Sequence, residues 1–141
     1  MKPLLIVSCG SKKIYDDNPS TKEIPFKDVY TGTYTKKLIE YATHTHYDFV
    51  ILSAKYGFVF PDELCPGDYN VKFKPNEPES KIIKLRRQAQ FKGLFKYNII
   101  ISLAGKTYSN IIKRVFKNKI IKEPLHGSMG QRMQQINRML Q

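Results

Sequence analysis

Three short, unbroken apolar runs, each closing on a serine, constrain this chain more than any other feature. They are Pro3-Leu4-Leu5-Ile6-Val7-Ser8, Phe49-Val50-Ile51-Leu52-Ser53 and Asn98-Ile99-Ile100-Ile101-Ser102. A strand with one wetted face alternates apolar and polar residues. A run without alternation predicts a strand covered on both sides, the mark of a parallel sheet packed between helices. A weaker fourth run is Lys119-Ile120-Ile121-Lys122. Between the runs the spacing turns helical. Tyr34, Leu38 and Ala42 follow Thr33, a fitting N-cap. Residues 79–94 place Ile82, Leu85 and Ala89 inward and Lys81, Lys84, Arg87 and Lys92 largely outward. Ile111, Ile112, Val115 and Phe116 mark another helix, and Met133, Ile136 and Leu140 the last. Strand–helix alternation of this kind predicts an α/β fold, a mostly parallel four-stranded sheet with helices on both faces. With no linker, repeat or low-complexity tract, residues 1–141 read as one domain.

Charge narrows the partner. The net charge is +12, yet residues 1–70 carry 8 Lys against 9 Asp and Glu, while residues 71–141 carry 16 Lys and Arg against 3 Glu. The second half alone is therefore at +13. Codon bias toward lysine would not confine the excess to one half. A polyanion is the expected partner, nucleic acid first, because binding phosphates releases their counterions. No apolar run nears the ~18 residues of a spanning helix, so no membrane role is expected. The two cysteines lack CxxC spacing, which argues against a disulfide framework or a cysteine zinc site. The expected location is the cytoplasm.

Each strong strand is followed by a loop rich in small residues and lysine. The loops are Ser8-Cys9-Gly10-Ser11-Lys12-Lys13, Ser53-Ala54-Lys55-Tyr56-Gly57 and Ser102-Leu103-Ala104-Gly105-Lys106-Thr107. In an open parallel sheet the carboxyl ends of the strands share one edge, where ligands bind. The three loops are thus expected to converge on an anion- or base-binding crevice. Gly105-Lys106-Thr107 is not a P-loop, since the glycine required five residues earlier is Ile100. Residues 12–32 and 59–78 are long for connections in so small a domain, and long loops tend to be functional. The second carries Asp62 and Asp68, which could orient water or stabilise a developing cation. Asp68 stands beside Tyr69, whose face suits base stacking. His44 and His46, two apart on one helix, suit no metal site, while Cys9 and His126 are weaker candidates.

These segments resemble a family of small proteins with a "CS-K" loop and an "LSAKYG" segment. The matching residues are Ser8-Cys9-Gly10-Ser11-Lys12, Val29-Tyr30-Thr31-Gly32, Ile51 through Val59 with Pro61-Asp62, Asp68-Tyr69, Ala104-Gly105-Lys106-Thr107-Tyr108 and Pro124 through Gln131. Related signatures occur in the YaaA peroxide-stress proteins and in the lysine-transfer domain of archaeosine synthase. Two departures stand out: Gly10 is inserted in the first motif, and Asp68-Tyr69 reverses the usual order. The resemblance implies a three-layer α/β/α sandwich, uracil-DNA-glycosylase-like, with a nucleobase pocket at the strand ends.

The expected function is that of a nucleic-acid base-processing enzyme, most concretely a DNA glycosylase hydrolysing the N-glycosidic bond of a modified or damaged base. Asp68 or Asp62 would be catalytic. Cys9, Gly10, Ser11, Lys12, Tyr30, Ser53, Lys55, Tyr56, Gly57, Tyr69 and Gly105 would bind the flipped nucleotide. Lys81, Lys84, Arg87, Lys113 and Arg114 would hold the phosphate backbone. No metal or cofactor is called for. The alternatives are a transferase acting on a deazaguanine-type base in tRNA and a non-catalytic DNA-binding protein. DNA is the preferred partner, tRNA the other, and the sequence leaves the oligomeric state open.

Overall fold

In the computed structural model, which describes residues 2–141, the three apolar runs become adjacent strands of one sheet. They are β1 (Leu4–Ser8), β3 (Asp48–Ser53) and β6 (Ile99–Ser102). The fourth run forms β7 (Ile120–Lys122), and a fifth strand, β4 (Gly57–Val59), completes the order β4-β3-β1-β6-β7. All neighbours run parallel except β4, which turns back against β3 with Ser53 opposite Gly57. The expected four strands are thus five. A three-residue strand inside a loop too short for a crossover leaves little apolar signal, and only its hairpin geometry reveals it. A separate two-stranded ribbon pairs β2 (Ile24–Pro25) with β5 (Leu64–Cys65).

The sheet is covered on both faces, as the unbroken runs require. Leu4 and Ile6 of β1 face one apolar cluster, Leu5 and Val7 the other, and all four are essentially inaccessible. The first cluster is closed by α4 (Glu79–Phe91) and α5 (Lys106–Val115) through Ile82, Leu85, Ala89, Ile111, Ile112 and Val115. The second is closed by α3 (Thr33–Thr45) and α6 (Met129–Met139), which pack on each other, through Leu38, Ala42 and Ile136. Two single-turn helices, α1 (Ile14–Asp17) and α2 (Phe26–Val29), add Tyr15, Phe26 and Val29 to that side. Together these layers form a mixed α/β sandwich.

From β1 the chain crosses by α3 to β3 on one side, then returns by α4 to β6 on the other. The strand order therefore reverses at β1 and β6. The chain leaves β1 toward α3 on one face and leaves β6 toward α5 on the other, and such a switch point opens a crevice. Among the described residues, no helix is long and apolar enough to cross a membrane.

Candidate functional site

A cavity of about 780 Å³ occupies that crevice. The loop after β1 supplies Cys9, Gly10, Ser11, Lys12 and Lys13, and the loop after β6 supplies Gly105 and Lys106. Tyr69 to Lys72 form one wall, and Met129, Arg132 and Met133 of α6 another.

Three helices begin at this cavity. α3 starts after Gly32 and α5 after Gly105, and neither N-cap glycine has a side chain to accept from the first-turn amides. Those N–H groups carry the positive end of the helix dipole and suit an anion. α6 differs: Ser128 accepts from the Gln131 amide at 3.3 Å and Gln131 reaches back to the Ser128 amide. Among the described residues, five cations border the same space, Lys12, Lys13, Lys72, Lys106 and Arg132, and no lining residue is acidic. The site is strongly electropositive.

Several of these groups are held in place. Lys13 is 5% exposed; its Nζ donates to the Ser11 carbonyl at 3.0 Å and lies 4.5 Å from the centre of the Tyr69 ring. The Arg132 guanidinium donates to the Gly127 carbonyl at 2.9 Å and to the Ala104 carbonyl at 3.3 Å, tying α6 to the loop after β6. Gly10 lets its loop press on α3, since a β-carbon there would come within 2.5 Å of Thr35 Oγ1.

Tyrosines supply the rest of the lining. The Tyr69 hydroxyl lies 2.6 Å from that of buried Tyr30, and the Tyr108 hydroxyl 3.6 Å from Cys9 Sγ. Burial pushes both Tyr69 and Tyr108 well above the ordinary phenol range, and the neighbouring Cys9 adds to it. Tyr34 is raised by burial against the opposing pull of Arg132. At neutral pH all three remain protonated, so they offer neutral O–H donors and flat ring surface rather than charge.

Of the residues expected at the site, Cys9, Gly10, Ser11, Lys12, Tyr69 and Gly105 line the cavity. Tyr30 sits one layer behind through Tyr69. The second loop lies on the expected edge of the sheet but does not enter, because it is consumed by the β3–β4 hairpin. Ser53 is fully buried and accepts from the Tyr56 amide at 3.1 Å. Tyr56 packs edge-on between Phe26 and Tyr69, Lys55 faces solvent beside the Tyr56 ring, and Gly57 sits against Gln88.

Neither proposed catalytic carboxylate reaches the cavity. Asp62 pairs with Lys27 at 3.0 Å with its side chain 81% exposed. Asp68 is exposed, and its carboxylate accepts from the adjacent Tyr69 amide at 2.8 Å. The cause is the β2–β5 ribbon, which folds residues 61–65 back onto α2: the Phe26 and Lys27 amides donate to the Glu63 and Pro61 carbonyls. Only the end of that loop, from Tyr69 on, meets the strand ends.

Three of the five expected backbone-binding cations are engaged within the protein. Lys81 donates to the Ala54 carbonyl, Lys113 pairs with Glu123 at 2.9 Å, and Arg114 binds Glu79 and the Glu77 carbonyl. Lys84 and Arg87 remain exposed on α4. Of the cations that do face the cavity, Lys12, Lys13 and Lys106 lie in the two loops expected to converge there, whereas Lys72 and Arg132 had no place in that expectation. A glycine directly before a helix start, at 32 and 105, is the sequence signal for the two open helix ends; it carries none for Lys72 or Arg132.

Comparison with known proteins yields likenesses that carry no activity of their own. An uncharacterized protein of Bacillus subtilis (strain 168), YfjM, is 35% identical over 142 residues, spanning 98% of this chain and 95% of that protein. The crystal structure of AF0587, a protein of unknown function, superposes with a TM-score of 0.51 at 10% identity, over 96% of this chain. This chain spans 43% of that one, and at such identity the likeness speaks for the α/β fold alone. A family model matches residues 4–138, nearly the whole sequence, and on that match the chain belongs to DUF6884, a family of unknown function.

Proposed function

We propose that this protein binds nucleic acid by taking one nucleotide, extruded or single-stranded, into the cleft at the ends of β1 and β6. One observation carries this reading: two glycine-capped helix starts and five cations surround a cavity with no acidic lining residue. A phosphate group would meet the amides of Gly32–Thr35 and Gly105–Thr107, while a base would lie against Tyr34, Tyr69 or Tyr108. The volume suits a nucleotide but not a stacked duplex, which supports base extrusion or a single strand. The likeness to uracil-DNA-glycosylase-like sandwiches belongs to the same proposal, supported by the layer order and the position of the crevice.

A second reading, excision of the base, rests on Asp68, the residue before Tyr69. It requires that carboxylate to leave its turn and enter the cleft. Binding is the better-supported function, because its groups are already in place.

The test is fluorescence anisotropy with short single-stranded DNA across a salt series, beside tRNA and modified duplexes. Lys12→Gln and Arg132→Gln should each weaken binding about fivefold to tenfold and reduce the slope against log salt by about 0.7. Unchanged affinity in both variants would remove the cleft from the account. Release of free base from a modified duplex, abolished by Asp68→Asn, would promote the second reading. Preference for tRNA over DNA would move the substrate to RNA.

A further inference from the structure

Lys13 is a buried charge for which the fold supplies no partner of opposite sign. It is 5% exposed and lines the cleft, and its Nζ donates to the Ser11 carbonyl at 3.0 Å beside the Tyr69 ring. Among the described residues no carboxylate forms an ion pair with that ammonium. Asp16, close by in sequence, accepts from the Lys13 backbone amide at 2.8 Å instead. An ammonium has three donors, and a single one here meets an oxygen. Taking such a group out of water is costly unless an anion or further oxygens take the water's place.

The two open helix starts reach the same space. Arg132 ties them together: its Nη1 donates to the Ala104 carbonyl at 3.3 Å, one residue before the α5 cap, and its charge acts on the Tyr34 hydroxyl in the first turn of α3. On the α3 side, a β-carbon at Gly32 would lie 3.8 Å from Lys12 Cβ, so the Lys12 stem runs beside that helix start. On the α5 side, a β-carbon at Gly105 would meet nothing within 4 Å, which leaves the approach to the first-turn amides open. Three donor sets from separate segments therefore border one cavity: the first turn of α3, the first turn of α5 and the Lys13 ammonium.

We propose that the phosphate taken up here is a terminal monoester, on a strand end or a free mononucleotide, and not a phosphodiester within a chain. This rests on the nucleotide reading of the cleft given above. At neutral pH a phosphate monoester carries about two negative charges and offers three free oxygens, one for each donor set. A phosphodiester inside a strand carries one charge and two free oxygens, which leaves one donor set unanswered. The monoester supplies the counter-ion that Lys13 lacks, and Lys12 and Arg132 add countercharge at its sides.

The experiment is isothermal titration calorimetry of the whole chain with short thymidylate strands that differ only in their ends. The ends are hydroxyl, phosphate or methyl phosphate, the phosphate being placed at either terminus; thymidine monophosphate and inorganic phosphate are titrated beside them. A phosphate at one terminus should tighten binding about tenfold over the hydroxyl-ended strand, and its methyl ester should lose most of that gain. Thymidine monophosphate binding as tightly as the phosphorylated strand supports a free nucleotide as the source, and weaker binding supports a strand end. Lys13→Met keeps the stem against Tyr69 and should cut the phosphate-to-hydroxyl ratio to about threefold or less. The methyl ester needs no variant, so the comparison stands even where Lys13→Met folds poorly. Equal binding of all strand ends, a methyl ester as good as the free phosphate, or an unchanged ratio in folded Lys13→Met would each overturn the proposal and leave the nucleotide reading in place. Inorganic phosphate binding as tightly as thymidine monophosphate and the phosphorylated strand would overturn it as well, since the site would then make no use of the nucleotide. Absence of binding by every strand and by thymidine monophosphate would remove the nucleotide reading along with it.

Discussion

Replacing Gly57 by alanine separates structure from function in the Leu52–Gly57 segment. Gly57 has φ of 75°, a conformation that costs a residue with a β-carbon about 1–2 kcal/mol. The added carbon would also lie 2.1 Å from Gln88 Oε1, so the Gln88 side chain must leave. That carboxamide accepts from the Phe58 amide at 2.8 Å and donates to the Tyr56 carbonyl at 2.8 Å, riveting the β3–β4 hairpin to α4. Two lost hydrogen bonds cost about 1 kcal/mol each, more for the buried amide. The stiffer unfolded chain returns about 0.5–1 kcal/mol. The net loss is about 3 kcal/mol, or roughly 10 °C in Tm for a domain of this size. Urea and thermal unfolding measure it, and Gln88→Ala should lose about 2 kcal/mol, the two changes together costing less than their sum. Single-stranded DNA binding, measured where the variant is folded, should be unchanged. A stability loss under ~0.5 kcal/mol, or a binding loss at full stability, would refute the assignment of this segment to architecture.

Three further outcomes are expected. Asp68→Asn should leave single-stranded DNA binding within about twofold of wild type, because its exposed carboxylate only accepts from the next amide; a loss of ~100-fold in any base-directed activity would restore it to the site. Tyr30, Tyr69 and Tyr108 are raised by burial and favour the neutral phenol, so their stabilisation is whole below the ordinary value of 10.0 and declines as pH rises beyond it. In an alkaline absorbance titration they should ionise in one cooperative step with unfolding, and gradual independent ionisation would contradict their burial. Lys113 holds the Glu123 carboxyl below its ordinary 4.5, so that pair stabilises above this pH and its contribution is lost as pH falls through the lowered value. Lys113→Gln should therefore flatten the acid limb of the stability curve by less than ~1 kcal/mol, and an unchanged limb would show the pair to be inert.

The layers were legible because burial on both faces leaves an unmistakable pattern: Leu4 to Val7 alternate between two cores, and no polar residue interrupts them. The helix faces followed from spacing, as with Ile82, Leu85 and Ala89, all buried. The cleft was half legible. Cys9 to Lys12 and Gly105 line it because parallel strands send their loops to one edge. The Ser53–Gly57 loop carries similar residues, yet hydrogen-bonded pairing with β4 closes it, and no composition distinguishes a loop that turns back from one that stays open. Asp62 and Asp68 were misplaced because two residue pairs, Ile24 with Cys65 and Pro25 with Leu64, decide where that loop lies. Such short pairing is long-range in sequence and carries no periodicity. Arg132 was out of reach for a related reason: its role depends on α6 packing against α3, a tertiary contact.

The central claim is that the crevice between β1 and β6 receives the nucleotide, and amide NMR of the protein titrated with short single-stranded DNA tests it most directly. The amides of Gly10, Ser11, Lys12, Thr33, Gly105 and Lys106 should shift first and together, since they border the cavity. Shifts confined to α4 around Lys84 and Arg87, with those cleft amides unmoved, would place the nucleic acid on the basic surface and contradict it.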